Sequence, residues 1–336
     1  MNTHRSRWQG TEIDTRLNHF KTAYIKHADI VAAGDLIDAK LRELLVDEHL
    51  FTEDYKYDPS HTYGDGILVV GESGAGKSHF AQELMALHRP DRTPTATYIP
   101  ALYMRIPSAP NESRMGIALL EALGHKYLSG NAETLKKRGI ALMRKAKVRL
   151  FLIDNVHDIP ATRKKGVGYL AYWMRDIIDA VPCLLIALGT RDAYAVRDCE
   201  DQIKRRMRLD VQLLPFSADT TDPKSVVRDM PRWQGLLREV DKALPLAESS
   251  ELDEDQVAFR LLLGSNARFG NLKSILSSAM IEAVKENRER LSLTDLANGF
   301  RATFGSAAEK GNPFLQKSCE LASLSARGQA YFLAKP

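Results

Sequence analysis

Residues Gly71-Glu72-Ser73-Gly74-Ala75-Gly76-Lys77-Ser78 match the spacing G-x-x-x-x-G-K-[ST]. They lie between an apolar run, Ile67–Val70, and an amphipathic stretch that opens at His79. Glycines allow the backbone to curl tightly, so that its N–H groups and the N-terminus of the following helix face a phosphate chain. In such a loop Glu72, Ser73, Gly74, Ala75 and Gly76 form the cradle, Lys77 reaches the β- and γ-phosphates, and Ser78 ligates magnesium. The cofactors this spacing implies are ATP and Mg2+. A glycine-rich strand-to-helix turn without a ligand would not need Lys-Ser after its last glycine.

A phosphate loop of this kind works with an acidic residue at the end of a second buried strand, and the run Leu150 to Asp154 offers one. Asp154 would hold the magnesium through water. The next residue is Asn155, and an amide cannot take a proton as a carboxylate does, although it can orient water by hydrogen bonding. Binding therefore follows from these residues more directly than hydrolysis. His157 and Asp158 are candidate substitute bases, against the plainer reading of a His just past a strand as a surface or packing residue.

These groups need a sheet to carry them. From Gly66 to Phe216, short apolar runs alternate with amphipathic helical stretches, the pattern of a parallel sheet covered on both faces. The expected strands are Ile67–Val70, Ala101–Ile106, Leu150–Asp154, Cys183–Leu188 and Leu209–Leu214. Upstream, residues 1–65 read as an N-terminal helical extension, with Leu36, Ile37, Leu41, Leu44 and Leu45 at helical spacing. Downstream the strands stop, and Trp233–Leu244, Gln256–Leu263, Leu272–Lys285 and Thr294–Phe304 carry helical spacing. The domains expected are thus the extension, an α/β core over 66–216, a helical lid over 217–305 and a tail over 306–336.

Composition limits the rest. The chain has 336 residues, 44% hydrophobic and 27% charged, enough to bury a sizeable core. No apolar run approaches the ~18 residues of a membrane span. Three scattered cysteines, Cys183, Cys199 and Cys319, offer neither a disulfide framework nor a zinc cluster, which suits a reducing cytoplasm. The basic N-terminus lacks the apolar centre of a secretory signal. A net charge of +4 permits nucleic-acid binding without arguing for it. No helix-turn-helix, zinc-finger or aromatic RNA-binding signature is present, so sequence-specific reading is not expected.

With its phosphate loop, its Asp154 strand, a fourth strand ending in Leu188-Gly189-Thr190 and a helical region downstream, the chain resembles AAA+ ATPases. Within them it is similar to the TnsC/TniB group of bacterial transposition regulators, over roughly residues 30 to 315. The segments LFLIDNVHDI, PCLLIALGTRDAYAV, QIKRRMRLDVQLLPF and ARFGNLKSIL carry the resemblance, with Asn312-Pro313-Phe314 near the end. It implies an α/β fold: an AAA+ P-loop core with a five-stranded parallel sheet, followed by a small all-helical lid.

The resemblance also assigns roles. Thr190 becomes the sensor at the end of the fourth strand, and Arg205 the finger that reaches a neighbouring subunit's nucleotide, with Arg206 its rival and a solvated basic helix the alternative. Where AAA+ proteins place Glu after the strand acid stands Asn155, which implies weak or impaired ATPase activity. Where the group places Arg after the glycine corresponding to Gly270 stands Asn271, so Lys273, two residues on, is the candidate for a second phosphate sensor. Arg105, Arg114 and Lys126 are candidate contacts to DNA phosphates. Lys136, Lys137, Arg138, Arg144, Lys145 and Lys147 form a second basic group, and Arg163, Lys164 and Lys165 a third; both also fit solvated faces. The implied partners are double-stranded DNA bound without sequence preference, other copies of the chain in a ring or helical filament, a transposase and a TniQ-type target-selection protein, with no membrane. The expected location is the bacterial cytoplasm. Another DNA-associated AAA+ ATPase, such as a helicase loader, and an ATP-dependent scaffold without hydrolysis are the rival functions.

Overall fold

The computed structural model describes residues 6–45, 63–92, 97–108, 110–156, 164–213, 216 and 223–317. His157, Asp158 and Arg163 lie outside them, as does the end of the chain after Lys317. The chain divides into two compact units.

One unit, residues 29–72 and 76–213, is built on strands. In chain order these are β1 (Asp65–Val70), the short antiparallel pair β2 (Asp91–Arg92) and β3 (Thr97–Tyr98), then β4 (Ala101–Arg105), β5 (Leu150–Asp154), β6 (Leu184–Gly189) and β7 (Leu209–Gln212). The main sheet has five strands in the order β4-β5-β6-β1-β7, paired in parallel throughout. These are the five strands expected from the apolar runs. Every residue of β5 and β6 is buried, because helices cover both faces and each strand must be apolar on both sides. The β2–β3 pair was not foreseen; two residues per strand leave no alternation to detect.

Most of α2 (Ala28–Leu45) belongs here, with α3 (Lys77–Leu87), α4 (Glu112–Ala122), α5 (Ala132–Lys145), α6 (Lys164–Ala180), α7 (Tyr194–Asp198) and α8 (Asp201–Arg206). The pleat sorts the strand residues between two apolar clusters. Leu68, Leu102, Met104, Phe151 and Ile153 pack with Met115, Trp173 and Ile177 on one face. Ile67, Val69, Leu150, Leu152 and Ile186 pack with Phe80, Leu84, Ile37 and Leu41 on the other. Asp154 continues the second series, on the face covered by α3.

The other unit comprises residues 1–28, 73–75 and 214–336. Its helices are α1 (Ile13–Thr22), α9 (Pro223–Ala243), α10 (Asp255–Ser265), α11 (Phe269–Lys285) and α12 (Leu293–Phe304). Phe20, Trp233, Leu261, Leu272, Ile275 and Phe300 share its core, and the Trp233 indole donates to Ala258 O at 2.9 Å. Arg16 is 1% exposed, and its guanidinium holds both oxygens of Glu289 at 2.8 Å. Ser292 and Asp295 start α12 with a reciprocal capping box. A Cβ on Gly299 would collide with the carbonyl oxygen of Ile275, so α11 and α12 approach as closely as they do only over a glycine. Residues 1–65, read as one extension, are thus shared between the two units. Asn312 and Phe314 are buried in the helical one, where Asn312 Nδ2 donates to Ala297 O at 3.0 Å.

Candidate nucleotide site

The loop from β1 to α3 has the backbone its glycines suggest. Gly74 and Gly76 have φ of +82° and +87°, in the left-handed region that side chains disfavour. Gly76 N-caps α3, so Lys77 and Ser78 open the helix at its partially positive end. Gly71 N–H donates to Gly189 O at 3.0 Å, tying the loop's start to the end of β6. Glu72 is exposed. Ser73, Gly74 and Ala75 group with the helical unit.

Lys77 is buried and its ammonium donates to the carbonyls of Gly71 at 2.7 Å and Glu72 at 3.0 Å. Burial holds its pKa below the usual lysine value, against the pull of Asp154 and Glu72. The Ser78 hydroxyl donates to Asp154 Oδ2 at 2.9 Å, although the two residues are far apart in sequence. Asp154 is fully buried, and its Oδ1 accepts the Asn155 N–H at 2.8 Å. Asn155 has φ of +63°, a conformation that asparagine tolerates better than most residues.

This donor set suits magnesium, which takes one or two protein oxygens and keeps its remaining positions for water and phosphate. Among the described residues, no group of three or more His, Cys, Asp or Glu could hold a metal. A buried ammonium held by two backbone carbonyls is matched to an anion that brings its own charge.

Tyr103 is the site residue the motifs did not indicate. Its phenol donates to Asp154 Oδ2 at 2.7 Å. Burial and then the bond to Asp154 push its pKa up, while Arg105 beside it pulls the other way. What brings it there is the pleat, visible once the register is known: Arg105 is the register partner of Asp154, and Tyr103 shares the Arg105 face of β4.

Thr190 is half-buried and caps the single-turn helix Arg191–Ala193, accepting the Ala193 N–H on its carbonyl at 2.9 Å. The two arginines of α8 differ. Arg206 is paired with Asp179 through Nε and Nη2, the latter lying 2.9 Å from Oδ2. Arg205 is exposed, and among the described residues its guanidinium has no hydrogen-bond or ion-pair partner. Lys273 spends its ammonium inside the helical unit, on the carbonyls of Lys21 at 2.9 Å and Ala23 at 3.2 Å, where it closes the C-terminal end of α1. Arg105, Arg114 and Lys126 are exposed, and Arg114 donates to Ser108 O at 2.9 Å. In the second basic group, Lys136 bonds Asp176 at 2.8 Å and Arg144 bonds Ala180 O at 2.7 Å.

No helix among the described residues is long and apolar enough to cross a membrane. No curated protein matches the chain. Among solved structures, the ORC2 protein of Aeropyrum pernix, in its ADPNP-ADP complexes, superposes with a TM-score of 0.53 at 13% identity, covering 85% of this chain and 71% of that one. Cdc6p from Pyrobaculum aerophilum gives 0.50 at 13% identity, with 94% and 89% covered. Both likenesses concern the fold alone: a parallel five-stranded core with helices around it and a helical region after it in the chain. The model of the family described as Bacterial TniB protein matches residues 38–215, from within α2 to just past β7 and including both the phosphate loop and Asp154, and with more than half of its length so matched the chain belongs to the TniB family.

Proposed function

We propose that this TniB chain is an ATP- and Mg2+-dependent AAA+ regulator of DNA transposition, whose protomers assemble on target DNA and link a target-selection protein to a transposase. The observation that carries the reading is the meeting of Ser78 and Asp154, on different elements, beside a buried Lys77 whose acceptors among the described residues are the carbonyls of Gly71 and Glu72. Lys77 would exchange those carbonyls for phosphate oxygens, while the loop's N–H groups and the start of α3 orient the chain of phosphates. Ser78 and Asp154 would hold magnesium, which when bound neutralises phosphate charge. Thr190 would meet the outermost phosphate or its water. Arg205, exposed and without an ion-pair partner among the described residues, would serve a neighbouring subunit, whereas Arg206 is committed to Asp179.

Nucleotide can drive assembly only as far as it binds the assembled state more tightly than the free protomer. Arg105, Arg114 and Lys126, exposed, would meet DNA phosphates, and binding of that kind weakens steeply with salt. A switch that assembles without turning over is a second reading, favoured by Asn155: no carboxylate stands directly after Asp154, and the Asn155 N–H is tied back to Asp154.

The test is electron microscopy of the protein on duplex DNA with ATP, a slowly hydrolysed analogue, ADP or no nucleotide, with phosphate release followed in parallel. Ordered assemblies only with a triphosphate support the proposal, and phosphate release then separates turnover from a pure switch. Absence of assembly on DNA under every condition defeats it.

A further inference from the structure

Nothing in the phosphate-loop motif accounts for Tyr103. It lies on β4 two residues before Arg105, so the two leave the strand on one face, and the parallel register sets Arg105 opposite Asp154. The Ile106 N–H donates to Asp154 O at 3.0 Å, which pins the strands together at that level. Among the described residues, three donors fix the Asp154 carboxylate: the Asn155 N–H on Oδ1, and the hydroxyls of Ser78 and Tyr103, which share Oδ2. The first is local backbone, and the second belongs to a candidate metal ligand. Tyr103 alone has no second duty at the site.

We propose that Tyr103 is a positioning residue for Asp154, and that through its phenol the carboxylate senses what the Arg105 cation is holding. The inference rests on the reading of Asp154 as the acid that meets magnesium. A buried carboxylate with an unused lone pair can turn away from its working direction, and a phenol held by a strand prevents the turn. A cation beside a phenol makes it a stronger donor. When Arg105 gives its charge to an anion from outside, such as a nucleic-acid phosphate, the phenol becomes a weaker donor and Asp154 is held less firmly. Linkage requires the converse as well: a bound metal that fixes Asp154 changes the affinity of Arg105 for that anion by the same factor. The competing account is a partly buried tyrosine that packs against the Leu150 and Leu152 face and happens to reach a carboxylate.

The full-length protein is titrated with magnesium, starting in EDTA, while binding of a fluorescent ATP analogue is followed. For Tyr103→Phe, nucleotide affinity in EDTA is expected to stay within about twofold of the parent, while the magnesium midpoint rises about tenfold, the usual effect of removing a partner of a metal ligand. Arg105→Gln, made in the parent and again beside Tyr103→Phe, completes a double-mutant cycle. The two magnesium shifts should differ by at least about twofold, since direct repulsion of the metal by Arg105 survives in both backgrounds and the route through the phenol in only one. An unchanged midpoint in Tyr103→Phe overturns the positioning role, and equal shifts overturn the link to Arg105, in either case with nucleotide binding by the parent intact. A shift in EDTA affinity as large as the shift in midpoint leaves only the packing account. A parent that binds no nucleotide removes the underlying site reading itself.

Discussion

Asn155 occupies a backbone conformation that costs most L-residues about 1 to 2 kcal/mol and asparagine less, so its presence after Asp154 satisfies the chain as well as altering the chemistry. Asn155→Glu separates the two effects. We expect it to lose about 1 kcal/mol of stability in denaturant titration, and to raise phosphate release if lack of a base is what limits turnover. Lys77→Ala should abolish nucleotide binding, more than about a hundredfold in a fluorescence titration, because the ammonium answers to phosphate charge. The adjacent arginines should behave oppositely. Arg206→Ala removes the partly exposed pair with Asp179 and should cost about 1 kcal/mol in urea unfolding. Arg205→Ala should leave the unfolding curve in place and act on nucleotide-dependent assembly, read by light scattering on DNA. Spacing nominated Lys77, Ser78 and Asp154, and the structure brings Ser78 and Asp154 into contact. It could not identify Tyr103, because no motif connects residues whose only relation is a shared face of two strands. Nor could it separate Arg205 from Arg206: an acceptor 27 positions away, Asp179, makes that distinction.

The five strands were legible because a parallel sheet covered on both faces makes each strand an unbroken apolar run. Helix limits were less so. The stretch expected to begin at Trp233 is the second half of α9, which runs from Pro223 through Pro231, an interior proline that sequence reasoning takes for a boundary. Two elements of the helical unit invite measurement. Gly299→Ala forces a methyl group against the α11 backbone and should destabilise by about 1 to 3 kcal/mol in chemical unfolding. At the start of α12, burial would raise the Asp295 pKa, but Arg288 and the Ser292 bonds outweigh it and hold it below the ordinary value of 3.8. A carboxylate lowered in the folded state stabilises above its unfolded pKa and loses that contribution as pH falls through the folded one. Asp295→Asn should therefore lower the urea midpoint clearly at pH 7, with the gap to the parent shrinking below about pH 4.

For the molecule as a whole, the N-terminal residues do not behave as one appendage. The first 28 are counted with the helical unit, and most of α2 packs in the strand-based one through Ala33, Ile37 and Leu41. Periodicity showed α2 but not where its apolar face would go. It also could not foresee that Arg16, a surface residue by type, would be among the most buried side chains. Arg16 and its acceptor Glu289 are separated by 273 positions. At ordinary rates of translation, about 5 to 20 residues per second, the ribosome completes that partner roughly 14 to 55 s after making Arg16. The strand-based unit has all its residues by position 213 and can condense in that interval, whereas the first helix must wait for the last third of the chain. The order of synthesis and the order of folding therefore run in opposite senses at the amino terminus, and a ribosome paused before Glu289 would carry a finished sheet with its own beginning still unplaced.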